Sequence, residues 1–265
     1  MAEYDFIIVG SGSAGGFLTY RLSEDPNLRI LLLEAGPSDK HWTTRIPAGN
    51  RYTFGGGPRT WSFATEPEPY MAGRRLDQPR GKCLGGSSSL NGMVYVRGHR
   101  EDYAAWEAAG ATGWSWDDCL PAFMSLETFV KGGPNRGDRG PVHVLTYNDG
   151  NHSIEDAFLD AGQQAGWAKP VDYNSGVAQE GVMAFDANIN NGWRSGTGRE
   201  CVEPAAKRAN VTVITGAQVT SVILESNQAV GVRYRKSGHD LEIRAEREVL
   251  LAAGAFQSPQ LLMLS

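Results

Sequence analysis

The chain has 265 residues, 41% of them hydrophobic and 21% charged, which is typical of a globular protein with one large domain or two ordinary ones. A net charge of −5 gives no electrostatic basis for binding nucleic acid, and no apolar run approaches the roughly 20 residues of a membrane span. Cys83, Cys119 and Cys201 are widely spaced and form no metal-ligand pattern, which favours free thiols in a reducing compartment. We therefore expect a cytoplasmic protein, with peripheral contact to the cytoplasmic membrane face left open.

The N-terminal segment has the pattern of a βαβ unit. Residues 6–9 have the pattern of a buried apolar strand, so we expect no signal peptide before them, and the loop Gly10-Ser11-Gly12-Ser13-Ala14-Gly15 follows at once. After a helical stretch, a second buried strand ends on Glu34, which lies 19 residues after Gly15. This is the GxGxxG fingerprint in its required context, and it predicts a dinucleotide site.

Each position of this fingerprint has a physical role. Gly10 permits the tight turn, Gly12 lets the backbone approach a pyrophosphate, and Gly15 lets the helix pack close to the strand. The helix N-terminus then presents unpaired N–H groups to the phosphates. The Glu34 carboxylate can accept hydrogen bonds from ribose hydroxyls and would repel a 2′-phosphate, so NADP is disfavoured.

A second loop rich in glycine and serine follows a long irregular stretch, residues 36–80. Its core, Gly85-Gly86-Ser87-Ser88-Ser89, offers successive backbone N–H groups and hydroxyls, as in an anion-binding nest. Arg80 and Lys82 add positive charge nearby. Two such loops in this order suggest a cofactor bound at both ends, which favours FAD over NAD. A ligand-free glycine loop is the alternative.

The remaining pattern predicts further helices and strands. The expected helices are 102–109, 115–127 (with Ser115 and Asp118 as a capping arrangement), 153–165 and 199–209. The expected strands are 142–147, 182–189, an antiparallel meander over 211–215, 219–224, 229–234 and 241–244, and a buried strand at 249–253. Ser258-Pro259 is interpreted as the cap and first position of a last helix.

At this point the chain resembles the glucose–methanol–choline (GMC) oxidoreductase family. The first family signature is matched over residues 81–104, through Gly85-Gly86-Ser87-Ser88, Leu90-Asn91, Tyr95 and Gly98. The start of the second signature is matched over residues 254–265. Within the family the chain is most similar to the choline dehydrogenase branch, and we expect it to be the N-terminal part of a longer protein.

The resemblance implies an α/β fold: a Rossmann-like FAD-binding domain with an inserted smaller α+β portion of a substrate domain, an antiparallel β-meander, and a missing C-terminal part. The expected division is 1–140 for the first part of the FAD-binding domain, 141–195 for the substrate-domain portion and 196–265 for the second part of the FAD-binding domain. Trp106, Trp114 and Trp116 are interpreted as core anchors.

The resemblance also implies cofactor contacts. The pyrophosphate is expected at Gly10, Gly12, Ser13, Ala14 and Gly15, and the adenosine ribose at Glu34, with Ala35 also assigned to cofactor binding. The remaining expected contacts are Trp61 and Arg80 along the cofactor, Gly86, Asn91, Gly92, Met93 and Val94 toward the flavin, and Val219, Ala253 and Gly254 at the adenine end. Leu90 occupies the position at which some members carry a flavin-linked His, so non-covalent FAD is expected.

The implied reaction is oxidation of a small primary alcohol, such as choline, to an aldehyde, with hydride passing to flavin N5 and electrons to a quinone-type acceptor. The family's catalytic His and its partner are expected beyond Ser265, so no catalytic residue, and no metal ligand, is assigned within the chain, and this part alone is expected to be inactive. His41, His143, His152 and His239 have no partner of matching spacing, and a structural role is favoured for His99. The alternatives are an alcohol oxidase of the same fold that uses O₂, and a catalytically inert FAD-binding module.

Overall fold

The computed structural model describes residues 4–53, 55–147 and 153–265. The strands are β1 (Tyr4–Val9), β2 (Ile30–Glu34), β3 (Thr60–Ala64), β4 (Asp77–Gly81), β5 (Val94–Tyr95), β6 (Glu127–Phe129), β7 (Val142–Thr146), β8 (Asp186–Ala187), β9 (Ile189–Asn190), β10 (Trp193–Arg194), β11 (Val211–Thr215), β12 (Gln218–Glu225), β13 (Gln228–Lys236) and β14 (His239–Leu251). The α-helices are α1 (Ser13–Leu22), α2 (Trp42–Arg45), α3 (Arg100–Ala108), α4 (Trp116–Leu126), α5 (Ser153–Gln164), α6 (Glu203–Ala205) and α7 (Gly254–Met263). Within these ranges, no helix combines the length and apolar character needed to cross a lipid bilayer.

The chain forms two compact units. The first comprises Met1–Gly92 and Gly196–Ser265, and the second comprises Met93–Ser195. The sequence placed the first division after residue 140, whereas the structure has it after Gly92. The reason is that β5 pairs with β8, so residues 93–140 belong with the strands that follow them. The binding roles expected of the two units remain predictions.

The first unit is built on a six-stranded sheet in the order β11-β2-β1-β14-β13-β12. The side chains of β1 alternate between two cores, with Ile7 on one face and Ile8 on the other, and both are fully buried. Leu18 and Leu22 of α1 pack into the core around Ile8, and Leu261 of α7 packs into the core around Ile7. Both faces of the parallel part of the sheet are therefore covered around β1, as parallel strands require.

Two strand predictions in this unit were wrong. Residues 211–215 were expected in the antiparallel meander, but β11 pairs in parallel with β2. Residues 241–244 and 249–253 were expected as separate strands, but residues 239–251 form one continuous strand, β14, which ends before Ala252. The N-terminal part of β14 pairs antiparallel with β13, as in Arg244 opposite Gly231, and its C-terminal part runs parallel to β1, as in Val249 opposite Ile7. A single long strand can thus serve both parts of the sheet.

Two helix predictions also needed correction. The last helix begins at Gly254, four residues before Ser258, whose Oγ accepts a hydrogen bond from the Ala253 N–H at 3.1 Å. Pro259 therefore lies inside α7. The single helix expected over 199–209 is a π-turn, Gly198–Val202, followed by the short α6 with a proline in its first turn. Proline is tolerated there because a first-turn N–H has no intrahelical partner.

The second unit contains a four-stranded sheet in the order β5-β8-β7-β6. The predicted capping arrangement of α4 is confirmed: Ser115 Oγ accepts from the Asp118 N–H, and the Asp118 carboxylate accepts from the Ser115 N–H. The strand expected over 182–189 is split into β8 and β9. Of the three tryptophans interpreted as core anchors only Trp116 is buried, because Trp106 and Trp114 are 50% and 56% exposed.

A network of buried charges organises this unit. Glu127 accepts from Arg97 Nη2 at 2.7 Å and from Arg136 Nε at 2.8 Å, and all three side chains are almost completely buried. Arg136 Nη1 also donates to Asp172 at 2.9 Å and to Asp186 at 3.0 Å. Ion pairs of this kind are stable inside a protein only when each charge is both paired and hydrogen-bonded, as these are.

Candidate cofactor site

A cleft of about 450 Å³ lies in the first unit, at the carboxyl ends of β1 and β2 and the start of α1. This is where open parallel sheets bind their ligands. Most of the predicted cofactor residues line it: Gly10, Gly12, Ser13, Ala14, Glu34, Ala35, Trp61, Arg80, Gly86, Val219, Ala253 and Gly254. The fold therefore brings to one place residues that are separated by more than two hundred positions in the chain.

The three fingerprint glycines are needed for different reasons. Gly10 has a φ of +92°, and a Cβ there would lie 2.7 Å from the Ala252 carbonyl oxygen. A Cβ on Gly15 would collide with the Gly10 carbonyl oxygen. At Gly12, in contrast, the nearest atom to a Cβ is Gly86 Cα at 4.0 Å. The fold itself requires Gly10 and Gly15, whereas a side chain at position 12 would enter only the cleft.

The N-terminus of α1 is arranged for an anion. Its N-cap is Gly12, which supplies no side-chain hydrogen bond to the first turn. In the second unit, by contrast, α3 and α4 are both capped by side chains. The first-turn N–H groups of an uncapped helix and the positive end of its dipole favour a phosphate, and Ser13 and Ala14 line the cleft at this point.

Glu34 lines the cleft and also holds its walls together. Its Oε2 accepts from the Ser11 N–H at 3.0 Å and from the Ser11 hydroxyl at 2.6 Å, and its Oε1 accepts from the Gly36 N–H at 2.8 Å. Burial raises the pKa of this carboxyl above its ordinary value, and these hydrogen bonds oppose the shift. The role of Ser11 as the internal partner of Glu34 was not predicted.

The two glycine loops are in direct contact. Gly86 has a φ of +52°, and a Cβ there would lie 2.7 Å from Gly12 Cα. The Gly85 N–H donates to the Ser11 carbonyl at 3.0 Å. The second loop is less open than the predicted nest, because the N–H groups of Gly86 and Ser88 donate to carbonyls within a 3₁₀ turn. Its Ser87 lines the cleft.

One wall of the cleft combines aromatic rings with cations. Trp61 and Arg80 face each other across the β3–β4 hairpin. The Lys82 ammonium lies 4.1 Å from the centre of the Trp61 ring, and the Arg80 guanidinium lies 4.3 Å from that of Phe256. Cation–π contacts of this kind hold positive charge beside the cleft. Sequence reasoning assigned no cofactor contact to Phe256, although it lies within the second family signature, nor to Gln218, for which the sequence has no signal.

Five predicted residues do not line the cleft. Gly15 is buried in α1, Asn91, Gly92 and Val94 are exposed, and Met93 is buried in a core of the second unit. Their contacts with a cofactor remain predictions. Leu90 is buried, with 3% of its surface exposed.

The described histidines have structural roles or lie outside the cleft. His41 caps α2, and His99 caps α3 by accepting from the Glu101 N–H at 3.3 Å, the hydrogen-bonding role favoured from the sequence. His143 and His239 lie on β7 and β14, and His152 lies outside the described residues. Among the residues that the structure describes, the cleft lining contains no histidine.

Comparison with known proteins gives a consistent result. A family model described as GMC oxidoreductase matches residues 4–265. The chain is 44% identical to an oxygen-dependent choline dehydrogenase of Paraburkholderia xenovorans (strain LB400) over 99% of its length, and 44% identical to one of Staphylococcus xylosus, also over 99%. In both comparisons the match covers 48% of the relative, so the chain spans about half the length of these relatives.

Solved structures show the same fold. The structure of pyridoxine 4-oxidase from Mesorbium loti superposes with a TM-score of 0.93 at 36% identity, over 98% of this chain and 51% of that one. An FAD-dependent oxidoreductase from Chaetomium thermophilum gives a TM-score of 0.91 at 30% identity, over 99% of this chain and 47% of that one.

Proposed function

Since the chain belongs to the GMC oxidoreductase family, we propose that it serves in the FAD-dependent oxidation of a small primary alcohol to an aldehyde. The observation that carries this proposal is the contact between the two glycine loops at the start of α1, which shapes one cleft from both signature regions. Bound FAD would supply the two-electron acceptor, taking hydride from the alcohol carbon at flavin N5.

The residues of the cleft fit this cofactor. The uncapped α1 N-terminus and the side-chain-free surface at Gly12 suit the diphosphate, and Glu34 suits the adenosine ribose. Val219, Ala253 and Gly254 form the wall proposed for the adenine end. Arg80 and Trp61 would lie along the cofactor. The Arg80 cation would balance the phosphate charge, and the Trp61 ring would cover part of the cofactor surface.

The simplest experiment is reduction of the bound flavin by alcohol without oxygen. We expect choline or another small primary alcohol to bleach the flavin absorbance of the full-length protein. A catalytically inert FAD-binding module, the candidate from another functional class, would bind the flavin but show no bleaching with any alcohol.

Choline-like alcohols are the proposed substrates because the relatives with 44% identity are named choline dehydrogenases. The structural relative named pyridoxine 4-oxidase favours a wider panel that includes aromatic primary alcohols. Initial rates with choline and with pyridoxine, at matched concentrations, would rank the two classes.

A quinone-type molecule is the proposed electron acceptor, and O₂ is the alternative favoured by relatives whose names include "oxygen-dependent" or "oxidase". We expect turnover with a soluble quinone analogue to exceed peroxide production in air. The opposite ratio would establish the oxidase.

Cell fractionation would test the proposed location in the cytoplasm or on the cytoplasmic membrane face.

A further proposal concerns the catalytic base. In the described residues the ionisable groups that line the cleft are Glu34 and Arg80, and Glu34 is engaged with Ser11 and Gly36. Neither suits proton removal from an alcohol at neutral pH, for which His is the usual group. We therefore expect residues 1–265 alone to bind FAD without turnover, and any alcohol oxidation by them would contradict this.

The flavin is proposed to be non-covalent because position 90 carries a leucine, which has no nucleophile. Acid precipitation of the loaded protein should release all the flavin into the supernatant. Flavin retained in the washed pellet would show a covalent link at another residue.

A further inference from the structure

A third glycine-containing segment, which the sequence analysis missed, packs against both loops of the cleft. In Gly196-Thr197-Gly198, a Cβ on Gly196 would lie 2.9 Å from the Ser88 carbonyl oxygen. A Cβ on Gly198 would lie 2.8 Å from the Leu84 carbonyl oxygen. The close approach of these backbones places the side chain of Thr197 between the two glycine loops.

The Thr197 side chain makes polar contacts to both loops. Its hydroxyl donates to the Gly12 carbonyl at 3.2 Å and lies 3.0 Å from Ser88 Oγ. The Thr197 N–H donates to Ser88 Oγ at 3.0 Å, and the Ser88 hydroxyl donates in turn to the Gly85 carbonyl at 2.7 Å. Thr197 is 5% exposed, so these hydrogen bonds are shielded from water.

The same side chain also packs against α1. A Cβ on Gly16 would lie 3.0 Å from Thr197 Cβ, so the threonine occupies the space that a side chain at position 16 would need. Thr197 therefore offers two separable features: a hydroxyl that contacts the loops and a methyl-bearing side chain beside the helix.

We propose that the Thr197 hydroxyl is a positioning group for the cofactor. The hydroxyl holds the Gly12 carbonyl, while the Thr197 N–H holds Ser88 of the second loop. The hydroxyl thereby fixes the peptide from which the first-turn N–H groups of α1 point at the FAD diphosphate. Gly12 O also accepts the first intrahelical bond, from the Gly16 N–H at 2.8 Å, so the helix start and the Thr197 hydroxyl are joined at one atom. This inference rests on the cleft holding FAD, as in the proposed function.

The test compares two substitutions that separate the hydroxyl from the packing. Thr197→Val keeps the shape and removes the hydroxyl, whereas Thr197→Ser keeps the hydroxyl and removes the methyl group. Flavin-free protein would be titrated with FAD, and with ADP, which carries the diphosphate and adenosine but no flavin. Thr53→Val is the matched control, because Thr53 is another buried threonine of this unit, bonded to the Asn50 carbonyl, and does not line the cleft.

We expect Thr197→Val to raise the Kd for both FAD and ADP about tenfold, the effect of one lost buried hydrogen bond. Thr197→Ser and Thr53→Val should stay within about twofold of wild type, since neither changes a hydrogen bond to the loops.

Three results would overturn the proposal. Equal FAD affinity in wild type and Thr197→Val would disprove the positioning role of the hydroxyl but leave the cofactor assignment intact. A loss in Thr197→Ser as large as in Thr197→Val would assign the effect to packing. Failure of the wild-type protein to bind FAD would overturn the cofactor assignment, and this inference with it.

Discussion

In the first unit the two loops that meet at the start of α1 contact each other through backbone atoms and glycines, whereas the second unit is organised around buried charged side chains. Gly12 and Gly86 meet without any intervening side chain, and the ligands they could bind would contact backbone N–H groups. In the second unit, Arg97 and Arg136 converge on the Glu127 carboxylate with almost no exposure to water. The first arrangement is sensitive to added volume and the second to removed charge.

This difference separates a binding surface from a structural core. Glycine contacts leave polar backbone groups available to a ligand, as the uncapped start of α1 illustrates. In the second unit, Glu127 and Arg136 are already paired with oppositely charged neighbours, so they stabilise a particular arrangement of strands and loops. Substitutions at the cleft of the first unit should therefore change cofactor affinity as well as stability, whereas those in the second unit should change stability alone.

The largest effect is expected from Arg136→Met. Loss of the Arg136 side chain leaves the carboxylates of Glu127, Asp172 and Asp186, which are buried or partly buried, without the guanidinium that they share. We expect the free energy of unfolding to fall by about 3–5 kcal/mol, measured by urea denaturation. Arg139→Met, at a side chain 92% exposed, is the control and should change it by less than about 0.5 kcal/mol. Equal unfolding midpoints for Arg136→Met and Arg139→Met would contradict the view that buried charges organise the second unit.

The next effect concerns added volume at the loop contact. Gly86→Ala places a methyl group 2.7 Å from Gly12 Cα at a φ of +52°. Strain and overpacking together should cost about 2–4 kcal/mol and abolish measurable FAD binding. Gly55→Ala, where a Cβ meets nothing within 4 Å, is the matched control in the same unit. FAD binding retained by Gly86→Ala would show that the two loops can separate without loss of the site.

A pH effect is expected from Glu34, whose pKa is raised above its ordinary value of 4.5 by burial. Between about pH 4.5 and the folded pKa, the folded protein holds a proton that the unfolded chain has lost. The free energy of unfolding should therefore fall as the pH rises through this interval, by up to about 1.4 kcal/mol per pH unit. Glu34→Gln should lack this slope. Parallel pH profiles of the free energy of unfolding for wild type and Glu34→Gln would contradict the assignment of this slope to Glu34.

The smallest effects compare two helix starts. Ser115→Ala removes the cap of α4 and should cost about 1 kcal/mol of stability without changing FAD affinity. Gly12→Ser adds a capping side chain to α1, where the nearest atom to the new Cβ is 4.0 Å away. It should leave the thermal stability of the flavin-free protein unchanged or slightly raised and weaken FAD binding. Tight FAD binding by Gly12→Ser would mean that the cleft does not need the bare backbone there.

The family, the βαβ unit with its glycine loop and Glu34, and FAD as cofactor could all be predicted from the amino-acid sequence, because these depend on residue type at fixed local spacing. The sequence also identified the capping box of α4, which depends on residues three positions apart.

The way in which distant segments combine becomes visible only in the folded chain. The division after Gly92, the parallel pairing of β11 and the dual pairing of β14 depend on which strands become neighbours, and local periodicity carries no such information. The same holds for Thr197, which meets Gly12 across 185 positions of the chain. A single threonine has no signal of its own in a sequence, and it acquires a role only when folding places it between the two glycine loops.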